Sequence, residues 1–146
     1  MSDLLLSTGP SAASAYRLGV TALLADRLPE AAAAFRLAVT EDPCFAMGHA
    51  GLALVLSLSD PDDAGRNDAL DAVERARTCS RRVSRCERHH VEVVALALQR
   101  RFARASALGR EHLVEFPDDV VVAQVLRRWC DDSNGLADDR ASGNLA

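Results

Sequence analysis

The chain has 146 residues, enough for one domain whose core buries roughly two-thirds of the surface the unfolded chain exposes, so neither disulfide nor metal is required for folding. Its formal net charge of -4 argues against a general affinity for nucleic acid or an anionic membrane, although local patches can differ. Hydrophobic residues make up 49% and aromatics only 4%, the apolar material being mostly Ala, Leu and Val, which suits closely packed helices.

All 17 basic residues are Arg, which reads mainly as coding bias. No apolar stretch approaches the roughly 20 residues of a membrane span. Cys44, Cys79, Cys86 and Cys130 lie at irregular spacings, and the Leu4-Leu5-Leu6 run is too short for a secretory apolar region. The expectation is a cytoplasmic protein with free thiols.

Residues 1–11 are expected to be a flexible N-terminal segment and residues 12–130 a helical repeat domain. Ala12 to Phe45 fits one helical-pair template, anchored by Ala15, Leu18, Gly19, Ala22, Ala31, Phe35, Ala38 and Pro43. Gly19 and Ala31 are small where two helices cross, Phe35 fills the space between them, and Pro43 stops the second helix. Pro29 sits in the first turn of that helix, where its missing N–H costs nothing.

A second unit begins at Ala46, with Leu52, Ala53 and Leu56 repeating the spacing of Leu18, Gly19 and Ala22. Its turn is expanded through Ser59 to Gly65, after which Ala69, Val73 and Ala76 repeat the spacing of Ala31, Phe35 and Ala38. Turns tolerate such insertions. The third unit runs from about Arg85, with His89 to Gln99 as its first helix, Arg100-Arg101-Phe102 as its turn and Ala105 to Glu115 as its second helix, closed by Pro117. Two registers of that first helix stay open: Val91, Val94, Ala95 and Leu98 form one apolar face, while a gap-free repeat alignment turns Val93 and Leu96 inward. Asp118 or Asp119 then caps a last helix through Cys130, with Ala123, Leu126 and Cys130 on one face. Residues 131–146 are expected to form a disordered acidic tail. The fold class is therefore all-α, a right-handed solenoid of about three tetratricopeptide-like helix pairs with a capping helix.

Beyond the general repeat, Asp42-Pro43-Cys44-Phe45-Ala46-Met47-Gly48-His49-Ala50, Glu87-Arg88-His89-His90-Val91 and Glu111 to Asp119 resemble the tetratricopeptide repeat protein 38 family and its bacterial relatives. The resemblance covers roughly residues 12 to 126 and implies an all-helical scaffold. Members of that family continue with further helical pairs where this chain has Arg127-Arg128-Trp129-Cys130 and the acidic tail, so a shortened member without independent activity is an alternative.

In such arrays the first helices line a concave surface that holds a peptide or helix. Those positions are Tyr16, Val20 and Leu23, then Ala50, Leu54 and Ser57, then His90, Val94 and Ala97. Because none is basic apart from His90, a clamp for a terminal carboxylate is not expected. Two readings stand: a partner groove, or apolar residues covered by the chain's own packing or by a second copy.

Other constellations carry less. Cys79, Cys86, His89 and His90 combine thiol and imidazole, which suits zinc, but their spacing matches no standard zinc motif and Arg81, Arg82, Arg85 and Arg88 surround them. A Cys–His nucleophile from the same residues lacks a nearby oxyanion loop. Six Arg between Arg75 and Arg88, including Arg77, Arg81, Arg82, Arg85 and Arg88, face one acid, Glu87. This basic patch could dock an anionic ligand, or be a solvated turn with some Arg paired to the acidic loop Asp60 to Asp63; without stacking aromatics, nucleic acid is not expected. His112 reads as a packed histidine. The sequence thus leads one to expect a non-enzymatic protein-interaction scaffold without catalytic residues, cofactor or metal, its alternative being a regulatory module docking an anion through the Arg patch.

Overall fold

The computed structural model describes residues 6–131, and among these the regular structure is entirely helical. Seven α-helices run in chain order: α1 Pro10–Leu24, α2 Leu28–Glu41, α3 Ala46–Ser59, α4 Asp63–Cys79, α5 Arg85–Leu98, α6 Phe102–Glu115 and α7 Val120–Val125. A 3-10 turn, Ser80–Arg82, follows α4, and α7 continues into a π-helical turn, Leu126–Asp131. No helix of the described residues is long and apolar enough to cross a membrane.

Helices pack most closely as α1 on α2 and α3 on α4, with α5 on α6 and α2 on α3 next, and short connections make α1–α2, α3–α4 and α5–α6 hairpins. The first and third hairpins turn the same way. Asp26 and Arg100 both have left-handed backbone, at φ 59° and 62°. In the first, Arg27 N–H reaches Ala22 O at 2.9 Å and Asp26 N–H reaches Leu23 O at 3.1 Å; in the third, Arg101 N–H reaches Leu96 O at 2.9 Å and Arg100 N–H reaches Ala97 O at 3.0 Å. This is the Schellman closure, which satisfies the last helical carbonyls. Glycine usually occupies the left-handed position, so sequence alone gave no marker for it.

Phe35 is the pivot of the first half. A Cβ on Gly19 of α1 or on Gly51 of α3 would come within 2.6 Å of Phe35 Cε1, so both glycines are required by the closeness of the ring. Tyr16 tilts against Phe35 and meets Phe45 edge-on, with ring centroids 5.7 and 5.4 Å apart. The second turn is shorter than expected: α4 begins at Asp63, and Gly65 lies in its first turn, where a Cβ would collide with the Asp60 carbonyl.

The two registers considered for the third unit turn out to be jointly satisfied. Helix α5 packs against α3, α4, α6 and α7, and Val91, Val93, Val94, Ala95, Leu96 and Leu98 are all buried. From Val93 to Leu98 the helix is covered on every side, so that half has no single apolar face for periodicity to reveal.

Three expectations are corrected. Cys44 and Cys79 are not free thiols: they form a disulfide, Cα atoms 5.2 Å apart, which ties the α2–α3 connection to the end of α4, while Cys86 and Cys130 belong to no disulfide. Residues 6–11 do not behave as a loose leader. Pro10 opens α1, Leu6 packs on the core, Thr8 Oγ1 donates to Asp42 Oδ2 at 2.6 Å, and Ser7 donates through N and Oγ to Glu87 Oε1 at 2.9 and 2.5 Å. Finally, Ala123 is only half-buried, the last helix presenting Val121, Val122, Val125, Leu126 and Cys130 to the core instead. The acidic tail expected over 131–146 lies, beyond residue 131, outside the described residues.

Candidate functional site: a buried histidine–aspartate cluster

Polar side chains gather where α5, α6 and the start of α7 meet. Asp119 is the N-cap of α7, its Oδ1 accepting from Val122 N–H at 3.2 Å. Its other oxygen, Oδ2, lies 2.8 Å from His90 Nδ1 on α5 and 2.7 Å from His112 Nε2 on α6. All three residues are buried. Because a carboxylate can only accept, both imidazoles direct an N–H at Asp119. His90 Nε2 and His112 Nδ1, the opposite ring atoms, are buried without a hydrogen-bond partner.

Around this core stand Cys86, half-buried at the start of α5, and His89, whose ring meets that of His112 edge-on at 6.0 Å. Ligand atoms of Cys86, His112 and Asp119 all lie within 4.8 Å of one another. Glu87, one residue on, is buried; its Oε1 accepts from Ser7 and from Ser84 Oγ at 3.1 Å, while Oε2 has no partner. Ser84 caps α5 by accepting from Glu87 N–H at 3.2 Å, which completes a capping box.

Electrostatics follow from burial and neighbours. Burial acts to raise the Asp119 carboxyl, but the positive charge of His90, the two imidazole hydrogen bonds and the Val122 N–H outweigh it and hold Asp119 well below the usual carboxylate range. Burial pushes the Cys86 thiol up to about 11, with Asp119, Glu87 and Glu115 adding to the effect. Tyr16 on α1 is raised well above its ordinary value, first by burial and then by Asp119, Glu87 and Cys86, which brings the first helix to the edge of the same cluster.

That convergence bears on the expected groove. Tyr16, Leu23, Leu54 and His90 are 5%, 5%, 1% and 0% exposed, and Val20 and Ser57 are half-buried. Ser7 reaches Glu87, and Arg128 Nη1 lies 3.5 Å from Asp26 Oδ1, so segments flanking α1 meet α5 and the turn after α7. The chain's own packing consumes most of this apolar surface. The thiol–imidazole grouping weighed and set aside on sequence is also rearranged: Cys79 is in the disulfide, and Cys86 keeps company with His112 and Asp119 from later elements.

Within the basic patch, Arg77 pairs with Glu92 at 2.9 Å and Glu74 at 3.2 Å, and Arg85 with Glu115 at 3.0 Å. Arg75, Arg81, Arg82 and Arg88 are exposed. The pairing is therefore with the helices α4, α5 and α6 rather than with the loop at Asp60 to Asp63. No protein-family model matches the chain, and no curated protein matches it.

Proposed function

We infer that this chain is a tetratricopeptide-type helical-hairpin scaffold that works by binding another protein rather than by catalysis. One observation carries the reading: the first and third hairpins repeat the same Schellman turn, the same fully buried Ala at the crossing (Ala31 and Ala105) and the same Pro after the second helix (Pro43 and Pro117). Repetition of one hairpin at this level of detail is what a stacked array requires. The Cys86 thiol, pushed up by burial to about 11, lacks the lowered value an activated Cys nucleophile needs, which speaks against that one residue as a nucleophile.

With the first-helix positions spent internally, the contact surface is the outer side of the first hairpin. Leu18 is 65% exposed, and Leu24 and Leu37 are exposed beside it in sequence on α1 and α2. In a stacked array these positions pack on a preceding hairpin. The bridge between Cys44 and Cys79 bears on location, since such bonds persist in oxidising surroundings and are rare in the cytosol. A cytoplasmic home therefore calls for that pair to be reduced there or to take part in redox chemistry.

The test is affinity capture from native lysate with the full chain beside a Leu18→Arg, Leu37→Arg variant whose helicity matches by circular dichroism. Partners held at roughly 0.5 M salt by the parent and lost by the variant support apolar docking. Partners kept by the variant but released by that salt, and lost on Arg81→Glu, Arg82→Glu, would instead favour an anionic ligand at the Arg patch.

A further inference from the structure

We propose that Cys86, His112 and Asp119 form a buried site for a zinc-class divalent transition-metal ion, with His90 as the positioning residue that holds the Asp119 carboxylate. The inference goes beyond the scaffold reading and depends on none of it. Three donors from three elements, the first turn of α5, the last turn of α6 and the cap of α7, have ligand atoms mutually within 4.8 Å. Around a four-coordinate zinc the ligand atoms are roughly 3.3–3.8 Å apart, given bonds of about 2.0–2.3 Å. Closing the remaining gap takes on the order of 1 Å, within the rotation of a Cys or Asp side chain.

Donor chemistry selects the ion. A thiol sulfur with an imidazole nitrogen and one carboxylate oxygen suits zinc and its borderline neighbours, whereas calcium and magnesium require oxygen throughout. Polar atoms near the donors are left unsatisfied: His112 Nδ1 and Glu87 Oε2 are buried without a partner, whereas the orphan Nε2 of His90 lies on the ring edge turned away from Asp119. The Asp119 hydrogen bonds to His90 and Val122 are the kind of outer support that orients a ligating group in metal sites. Surrounding Arg side chains do not oppose this, since Arg81, Arg82, Arg85 and Arg88 are exposed and Arg85 is paired with Glu115. Cys86 is the one donor of the three that is not fully buried. On binding, the Cys86 S–H bond breaks, its proton passes to water and the sulfur–metal bond forms; the His112 nitrogen that takes the metal carries no proton, so ligation through Nε2 moves that proton to Nδ1 and replaces the 2.7 Å hydrogen bond to Asp119.

The test uses the full chain, treated with chelator under non-reducing conditions so that the Cys44–Cys79 bridge stays intact, then titrated with Co2+ and competed with Zn2+. The expected result is saturation at one equivalent, a thiolate-to-cobalt charge-transfer band in the near ultraviolet with the visible bands of four-coordination, and loss of both as Zn2+ displaces Co2+. Cys86→Ser, a change at a half-exposed position, is expected to keep the parent's circular dichroism, abolish the charge-transfer band and weaken Zn2+ binding by at least about tenfold. His112→Gln should weaken it likewise. Absence of saturable binding or of the thiolate band in the parent overturns the proposal. So does a Cys86→Ser variant that retains the band or binds Zn2+ within tenfold of the parent, as it would if Cys130 were the ligand.

Discussion

Replacing Asp119 by Ala removes three hydrogen bonds at once. The cap on Val122 N–H is worth about 1 kcal/mol. Two buried imidazole N–H groups, on His90 and His112, then lose their acceptor, at about 1–3 kcal/mol each. The sum is about 3–7 kcal/mol, against a total of about 5–15 kcal/mol for a domain of this size. Asp119→Asn keeps one carbonyl oxygen and an adequate cap, and a neutral imidazole can accept from its amide, so its cost should be about half as large. Acidity supplies a second readout. Because the folded-state value of Asp119 is depressed, its contribution is fully present above about pH 4 and fades as pH falls below that; the parent should lose stability there with a slope that Asp119→Asn lacks. Urea unfolding followed by circular dichroism, between pH 2 and 7, measures both effects. An Asp119→Ala variant within about 1 kcal/mol of the parent at an unchanged m-value would refute the reasoning, as it would mean that the imidazoles are already satisfied by solvent.

Other parts of the fold give three further expectations. Gly19→Ala and Gly51→Ala each press a methyl into the Phe35 ring and should cost about 1–3 kcal/mol in urea unfolding. Arg100→Gly relieves a left-handed backbone at a non-glycine residue and should raise stability by up to about 1 kcal/mol, seen as a higher urea midpoint. Reducing the Cys44–Cys79 bridge, which closes a separation of 35 residues, should lower stability by about 3–4 kcal/mol on the chain-entropy account, so a melting temperature indifferent to reductant would count against that bridge.

What the sequence made legible follows from which features are local. Gly19, then Ala31 and Phe35 four apart, then Pro43, describe one hairpin, and the structure has those helices in those places, whereas Leu18, expected to anchor the same repeat, is 65% exposed. Helix α5 was ambiguous for a physical reason: periodicity reports the contrast between a covered and an open face, and α5 has no open face over Val93–Leu98. The turn positions Asp26 and Arg100 were invisible because the left-handed residue is not Gly, and the partner of Cys44 because nothing in the spacing links it to Cys79. Of the polar cluster, the sequence offered Cys86, His89 and His90 as neighbours, Asp119 as a helix cap and His112 as a packed ring. It offered no sign that one carboxylate serves all three roles, because His90, His112 and Asp119 meet only when the third hairpin closes against α7.

The cluster's position raises the question of why it is polar at all. A buried carboxylate with two imidazoles is an indifferent source of stability: desolvating the groups costs about as much as their mutual attraction returns, and well-packed apolar residues of similar volume often do as well or better. The structure makes that comparison concrete. His90 packs in the same buried layer as Val91, Val93 and Val94, and His112 lies against Phe116 with ring centroids 5.1 Å apart, so Leu at both positions has apolar neighbours to meet. Combined with Asp119→Ser, which retains an oxygen for Val122 N–H, His90→Leu and His112→Leu remove every member that needed a partner. The triple variant should therefore match or exceed the parent in urea unfolding, although Asp119→Ala alone is costly. A triple variant that loses several kcal/mol would show that the polar network itself holds α5, α6 and α7 together. Retained stability would mean that the histidines and the carboxylate are kept for what they bind.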